Sequence, residues 1–188
     1  MELATLSQTH PRRRRSRPPK MQTRIFASED RWEVVKRCDP RARELADRHY
    51  SRQTVGAVDF LPCGRTLVLL TTCALAVWGV VENLDPAGQL RWRCSIFRNE
   101  GAGLSSDLIR EATTRTYLWW LNHYGRLPKV PLTTEVDPRK TRKKRDPGRC
   151  FRRAGWRVVD MRRGLVVLQA PIERARSIDN NDRVRAQH

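Results

Sequence analysis

The most apolar part of the chain lies near its middle, where two runs rich in Val, Leu and Thr follow the turn signal Pro62-Cys63-Gly64. The runs 66–72 and 74–82 have the composition and length of buried antiparallel strands joined by a tight connection. The whole apolar stretch, 67–81, has about fifteen residues, fewer than the roughly 20 that a membrane-spanning helix needs. These runs therefore predict the interior of a sheet.

The regions on either side of these strands alternate between helical and extended patterns. Upstream, residues 29–49 predict two helical pieces interrupted at Asp39-Pro40, because proline is tolerated only in the first turn of a helix. Downstream, a broad apolar face at helical spacing predicts a long helix, with Ser105 or Ser106 placed to cap it. The downstream elements are a strand over 90–97, the helix over about 105–123, a strand over 130–136, a short helix over 148–154 and a closing strand over 165–169.

A glycine-containing loop joins the strand 90–97 to the long helix and reads Arg98-Asn99-Glu100-Gly101-Ala102-Gly103. Glycines let the backbone turn so that several N–H groups converge, and the helix N-terminus behind them adds about half a unit of positive charge. The loop is therefore suited to a phosphate or pyrophosphate, although an ordinary glycine-rich turn is the alternative. The candidates for cofactor binding are Arg98, Asn99, Gly101, Gly103, Ser105 and Ser106.

The charge of the chain indicates a polyanionic partner. The 38 Lys and Arg residues outnumber the 20 Asp and Glu residues, which gives a net charge of +18. Nucleic acid is the commonest such partner, and no amphipathic helix with a concentrated apolar face accompanies the basic runs to favour a membrane surface. Nine of the fifteen residues 139–153 are basic, which favours contact with double-stranded DNA over a merely solvated face. These candidates are Arg139, Lys140, Arg142, Lys143, Lys144, Arg145, Arg149, Arg152 and Arg153.

The domain organisation follows from the polar ends of the chain. Residues 1–24 form a basic arm expected to be disordered alone, 25–172 a single domain, and 173–188 a loose tail. Five widely spaced cysteines without a CxxC pair support neither a zinc site nor a disulfide framework. Together with an N-terminus that lacks the apolar core of a signal peptide, they favour a cytoplasmic location.

The order of predicted elements, with Arg98, Gly101 and Gly103 in the loop and Gly155-Trp156 after the short helix, resembles the GNAT acyltransferase superfamily over about residues 60–170. The resemblance implies an α/β (α+β) fold with a central mixed sheet flanked by helices. It also implies a loop that binds the pyrophosphate of coenzyme A, so an acyl-CoA-type donor is one option. The family's usual tyrosine acid corresponds to Phe151, which has no proton to give, and Cys150 beside it is expected to point elsewhere on its helix.

A closer resemblance, over roughly residues 45–170, is to the Mom-like DNA adenine-modification family, the branch that includes the Mom protein of bacteriophage Mu. It implies addition of an acetamide-type (carbamoylmethyl) group to N6 of adenine in DNA, which protects the DNA from restriction nucleases. Two alternatives are a conventional acyl-CoA-dependent N-acetyltransferase acting on RNA, a protein or a small amine, and a non-catalytic DNA-binding protein. The passages that carry the resemblance are His49-Tyr50-Ser51, Arg98-Asn99-Glu100, Leu104-Ser105-Ser106, Thr134-Glu135-Val136-Asp137-Pro138 and the stretch 148–156.

Three residues are candidates for the chemistry that the resemblance implies. Asp137 ends a central strand and is the first choice for the base that takes a proton from N6, although an Asp before Pro is also a good turn residue. Tyr50 offers a phenol for proton transfer or a ring for stacking a flipped base. His49 is a second acid or base, or forms part of a metal site with Asp137, but two ligands are too few to predict a metal.

Overall fold

The computed structural model describes residues 31–141 and 146–171, which form an α/β structure with a seven-stranded mixed sheet. The expectations for the arm 1–24, the tail 173–188 and the basic residues 142–145 lie outside the described residues. The strands are β1 (Trp32–Val35), β2 (Arg65–Thr71), β3 (Ala76–Leu84), β4 (Leu90–Asn99), β5 (Leu132–Val136), β6 (Arg157–Arg162) and β7 (Leu165–Gln169). The helices are α1 (Pro40–Asp47), α2 (Ser105–Tyr124) and α3 (Arg149–Arg153).

The order of strands in the sheet is β1-β2-β3-β4-β5-β7-β6, and only β4 and β5 run parallel to each other. Their pairing covers three positions and ends at Cys94 opposite Thr134, where the Thr134 hydroxyl donates to the Cys94 carbonyl at 3.0 Å. Both strands continue, to Asn99 and to Val136, but beyond this point they pair only with their outer neighbours β3 and β7 and no longer with each other. The sheet therefore opens between β4 and β5 at the carboxyl ends of these strands.

A β-bulge in β4 lies at this opening. Gly79 of β3 pairs with Ile96, while the next residue, Val80, pairs with Cys94, so Ser95 is the extra residue of β4. The bulge changes the side-chain alternation, because Cys94 joins the core on one face of the sheet and Ile96 joins the core on the other. Ser95 is thereby placed at the edge of the opening.

Each face of the sheet is covered by different helices. α2 and α3 cover one face through a core rich in aromatic side chains, including Trp78, Trp120 and Trp156. Two of these indoles donate to buried hydroxyls of α2: Trp78 Nε1 lies 3.0 Å from Thr116 Oγ1 and Trp156 Nε1 lies 3.2 Å from the corresponding atom of Thr113. These two hydrogen bonds, which satisfy buried indole N–H groups, help to hold α2 against the sheet.

The smaller core on the opposite face packs α1 and the segment 57–62 against the sheet, through Leu45, Phe60, Leu61 and Ile96. Asp39 caps α1, since its carboxylate accepts the N–H groups of the first turn. α1 ends at Asp47, and the chain then enters the opening between β4 and β5 through residues 48–51. No helix in residues 31–141 or 146–171 has the length and hydropathy needed to cross a bilayer.

Most of the predicted elements are confirmed, and two predictions need correction. The first helical piece of 29–49 is wrong: it is the strand β1, in which Trp32 is buried by pairing with β2. The strand β6 was not predicted, because every one of its residues is exposed at the edge of the sheet and leaves no alternating pattern. The long helix is confirmed as α2, which ends at Gly125 in the left-handed conformation, with φ of 66°.

Candidate active site

Two clefts meet where β4 and β5 separate. The larger, about 1150 Å³, lies on the side of α2 and α3, and the smaller, about 590 Å³, lies on the side of α1. A molecule in each cleft would therefore reach the same strip of side chains, which we call the shared strip. The residues that line both clefts, and so form the shared strip, are Tyr50, Ser51, Ser95, Glu135 and Lys140.

The loop before α2 is organised by the side chain of Asn99. Its Oδ1 accepts the N–H groups of Gly101, at 3.1 Å, and of Ala102, at 2.9 Å. Its Nδ2 donates to the Gly103 carbonyl at 2.8 Å and to Ser105 Oγ at 2.9 Å. The N–H of Gly101 is thus already engaged, and Gly101 does not line either cleft. Backbone N–H groups that are free to bind an anion are therefore to be sought nearer to the start of α2 than at Gly101.

The prediction that Ser105 or Ser106 caps α2 is wrong, because the N-cap residue is Leu104 and its apolar side chain makes no capping hydrogen bond. Ser105 instead lies in the first turn and accepts from Asn99. Gly103 has φ of 138° and, like the three residues after it, lines the larger cleft. The N-terminus of α2 is therefore presented to this cleft without a competing side-chain cap, which suits an anion there.

Arg98 lines the larger cleft, but its guanidinium already has partners. Its Nε lies 2.6 Å from Glu100 Oε1, and its Nη1 donates to the Arg48 carbonyl. Arg48 binds the other oxygen of Glu100 at 2.8 Å, and these hydrogen bonds, those from Arg48 first, lower the pKa of Glu100 to about 2. The three side chains tie the loop to the end of α1, so Arg98 positions the loop whether or not it also contacts a phosphate.

His49 and Tyr50 follow α1 and enter the site with their rings in contact, tilted by 31° and with centroids 4.4 Å apart. Burial, with a smaller effect of Arg98, lowers the pKa of His49 to about 4. Its Nδ1 accepts the Ser51 N–H at 3.3 Å, which assigns the proton of the neutral ring to Nε2. Burial is also the main cause of a raised pKa for Tyr50. At neutral pH the His49 ring is therefore neutral and the Tyr50 phenol is protonated.

The depressed pKa of His49 predicts a pH dependence of stability. The unfolded chain binds a proton to this histidine below pH 6.5, whereas the folded protein does so only near pH 4. His49 therefore contributes stability above pH 6.5 that is lost as the pH falls toward 4, and the loss is on the order of 3 kcal/mol. We expect His49→Gln to flatten the fall in unfolding free energy between these pH values, measured by urea titrations at a series of pH values. An identical slope in His49→Gln would contradict this assignment.

Glu135, on β5, and Asp137, just after β5, have different surroundings. Asp137 lines only the smaller cleft, is 6% exposed, and accepts the Arg139 backbone N–H at 2.9 Å and the guanidinium of the same residue at 3.2 Å. These bonds, the side-chain bond first, lower its pKa and weaken it as a base. Glu135 belongs to the shared strip, and its side chain makes no hydrogen bond or ion pair within residues 31–141 and 146–171. Glu135 was not among the predicted site residues, although it lies within the same motif as Asp137.

The predicted DNA-binding residues that the structure describes differ in whether they line a cleft, and in which one. Lys140 belongs to the shared strip, while Arg149 and Arg153 are exposed and line only the larger cleft. Arg139 and Arg152 line neither cleft and are held by Asp137 and by Asp146, respectively. Arg149 and Arg153 thus line the same cleft as the loop before α2, where a ligand with phosphates would meet them.

The prediction that Cys150, on the short helix α3, points away from the site is wrong. Cys150 lines the larger cleft rather than pointing away from it. Phe151 is 6% exposed and packs edge-on against Phe97, with ring centroids 5.9 Å apart, and against Trp156. The position of the family's tyrosine is therefore filled by a core residue, and no proton donor stands there.

His49 and Asp137 do not form a recognisable metal site. Within the part of the chain that the structure describes, no group of three or more His, Cys, Asp and Glu side chains is close enough together to hold an ion. Comparison of the chain with protein-family models, with curated proteins and with solved structures gave no match. The function is therefore argued from the two clefts and from the resemblance in the motifs.

Proposed function

We propose that this protein is a GNAT-like transferase that adds an acetamide-type group to N6 of adenine in DNA. The observation that carries the proposal is the meeting of the two clefts at the shared strip. A donor held on the side of α2 and an acceptor held on the side of α1 contact the same side chains across the opened sheet. Holding two reactants against one strip is the main requirement of a group transfer between them.

The larger cleft fits a donor of the acyl-CoA type. Its polar end combines the N-terminus of α2 with the exposed guanidinium groups of Arg149 and Arg153, which suit a pyrophosphate. Its inner part is apolar, with Phe97, Val136 and Phe151 in the lining. Bound there, such a donor supplies an activated carbon at the shared strip.

The smaller cleft fits the acceptor base. Tyr50 and Phe60 present aromatic rings, and Lys140 stands at the start of the basic run that continues toward residue 145. A base can reach this cleft only after leaving the helical stack, and aromatic side chains help to hold it there. The high positive charge of the chain favours the DNA backbone as the surrounding ligand, mainly through contacts without sequence choice.

The shared strip contains the groups that would manage the proton of N6. The amine of adenine is a weak nucleophile because its lone pair is delocalised into the ring, so proton removal must accompany attack. Glu135 accepts this proton, since it is the carboxylate of the strip, while Asp137 positions Arg139 and the start of the basic run. Tyr50 has a raised pKa and keeps its proton at neutral pH, so its hydroxyl is available to donate a hydrogen bond to the reacting base.

The proposal predicts a modified deoxyadenosine in the DNA of cells that express the protein. DNA from an expressing bacterium and from a vector control would be digested to nucleosides and compared by mass spectrometry. We expect an N6-substituted deoxyadenosine only with expression. Turnover of acetyl-CoA with an amine and unaltered DNA would instead support a conventional N-acetyltransferase. Unaltered DNA, no acetyl transfer and DNA binding that falls steeply with salt would support a non-catalytic binding protein.

A further inference from the structure

Arg93 is a half-buried arginine that lines the smaller cleft and has no role in the transfer proposed above. It lies on β4 next to Thr133 of β5, and its Nε is buried without a hydrogen-bond partner in the described residues. A donor atom of a charged group is costly to leave buried and unpaired, so the position of this Nε at the wall of a cleft points to a ligand that completes it.

Arg52, a second half-buried arginine of the smaller cleft, differs from Arg93 in having partners for its guanidinium. Arg52 also lines the smaller cleft, but its Nε lies 2.7 Å from Asp47 and its Nη2 donates to the Ala57 carbonyl at 2.9 Å. Arg52 therefore holds the segment 52–57 in place. Arg93 has no comparable structural task within residues 31–141 and 146–171.

The position of Arg93 relative to Glu135 limits the chemistry of the ligand. Glu135 lies two residues beyond Thr133 on the same face of β5, a distance of about 7 Å along the strand, which two long side chains can bridge onto one ring. A guanidinium donates hydrogen bonds and a carboxylate accepts them. The pair therefore matches a flat group that has an acceptor atom next to an amine. An alkylammonium group would bring a third positive charge beside those of Arg93 and Lys140.

We propose that Arg93 donates a hydrogen bond to the unprotonated ring nitrogen beside the reacting amine, so that the smaller cleft selects a neutral aminated nucleobase over an alkylammonium. This inference rests on the proposed function, in which Glu135 faces the amine. Arg93 is then a specificity-determining residue of the acceptor cleft, and the base supplies the partner that its Nε lacks.

Three DNA duplexes test the proposal by fluorescence anisotropy, without any donor or catalysis. Each carries one mispaired purine, which costs least to unstack: adenine, 1-deazaadenine or 7-deazaadenine. The two analogues keep the amine but each lacks one ring nitrogen. We expect the wild-type protein to bind the adenine duplex about tenfold more tightly than one of the analogues. Arg93→Met should bind all three duplexes alike.

The controls separate base recognition from charge and folding. Lys140→Met removes a cation from the same cleft and should weaken all three complexes equally, retaining the preference for adenine. Arg93→Met removes an unpaired buried donor, so its Tm should be no lower than that of the wild type, whereas a structural role would lower it. If Arg93→Met fails to fold, the affinities of the wild-type protein for the three duplexes still test whether a ring nitrogen is recognised.

Two results would overturn the proposal: equal binding of the three duplexes by the wild-type protein, or an unchanged preference in Arg93→Met. Either result, together with a modified deoxyadenosine in cellular DNA, would remove Arg93 from recognition and leave the proposed function intact. Failure of the wild-type protein to bind any duplex, together with unaltered cellular DNA, would instead count against the proposed function itself.

Discussion

Glu135→Gln is expected to lower the rate of DNA modification by about 10²–10⁴-fold, the range over which a positioned acid or base contributes to proton transfer. Glutamine has nearly the shape of glutamate, so the walls of both clefts stay in place. It cannot take up the proton that N6 would lose in the proposed transfer. Because the side chain of Glu135 makes no hydrogen bond or ion pair in the described part of the chain, its replacement breaks no side-chain contact there that holds the fold.

The measurement is the amount of modified deoxyadenosine in DNA from matched cultures, with DNA affinity measured separately on the purified proteins. DNA affinity should stay within about twofold of the wild type, because the change alters one uncompensated charge in a cleft rather than a phosphate contact. A variant that modifies DNA at the wild-type rate would exclude Glu135 as the base.

Asp137→Asn is the matched control, since it makes the same chemical change two residues away. The carboxylate of Asp137 is engaged by Arg139, which lowers the pKa of Asp137 and leaves it a poor proton acceptor. Asparagine keeps an oxygen for the Arg139 N–H but loses the ion pair, so we expect a modest loss of rate with a change in DNA affinity. A severe loss in Asp137→Asn beside an active Glu135→Gln would restore Asp137 as the base.

The strands in the middle of the fold could be predicted from the sequence because burial on both faces leaves continuous apolar runs, as in β2 and β3. β1 could not, since the sequence just after it is helical, capped by Asp39, and its own extended form depends on pairing with β2, more than thirty residues away. β6 is entirely exposed, and its position is set by β7 rather than by a pattern of its own.

The candidate site was predictable only where its residues form a local motif. The loop 98–106 and His49-Tyr50 were selected because their chemistry is visible in a few consecutive residues. Arg93, Ser95 and Glu135 come together through the parallel register of β4 and β5 and through the bulge in β4, which depend on pairing between distant segments. A bulge also reverses the side-chain alternation, so the sequence pattern could not predict which face of the sheet these side chains occupy.

Asn99→Ala is expected to weaken the binding of coenzyme A by at least about tenfold, which corresponds to about 1.4 kcal/mol. Its side chain makes four hydrogen bonds that hold Gly101, Ala102, Gly103 and Ser105 in one arrangement. Alanine makes none of them, so the loop must be ordered by the ligand itself, and this ordering reduces affinity. Isothermal titration of the purified protein with coenzyme A provides the measurement, and Asn122→Ala, at an exposed position of α2, should bind like the wild type.

Asn99→Asp distinguishes the effect of loop ordering on coenzyme A binding from the effect of charge. Aspartate keeps an oxygen for the N–H groups of Gly101 and Ala102, so this turn and the unfolding free energy should be retained better than in Asn99→Ala. It also places a negative charge beside the N-terminus of α2, where the proposed pyrophosphate binds, and repulsion should then weaken coenzyme A binding at least as much as in Asn99→Ala. Such binding should recover partly in high salt, because added ions screen the repulsion. Wild-type affinity in both variants would show that coenzyme A does not bind at this loop.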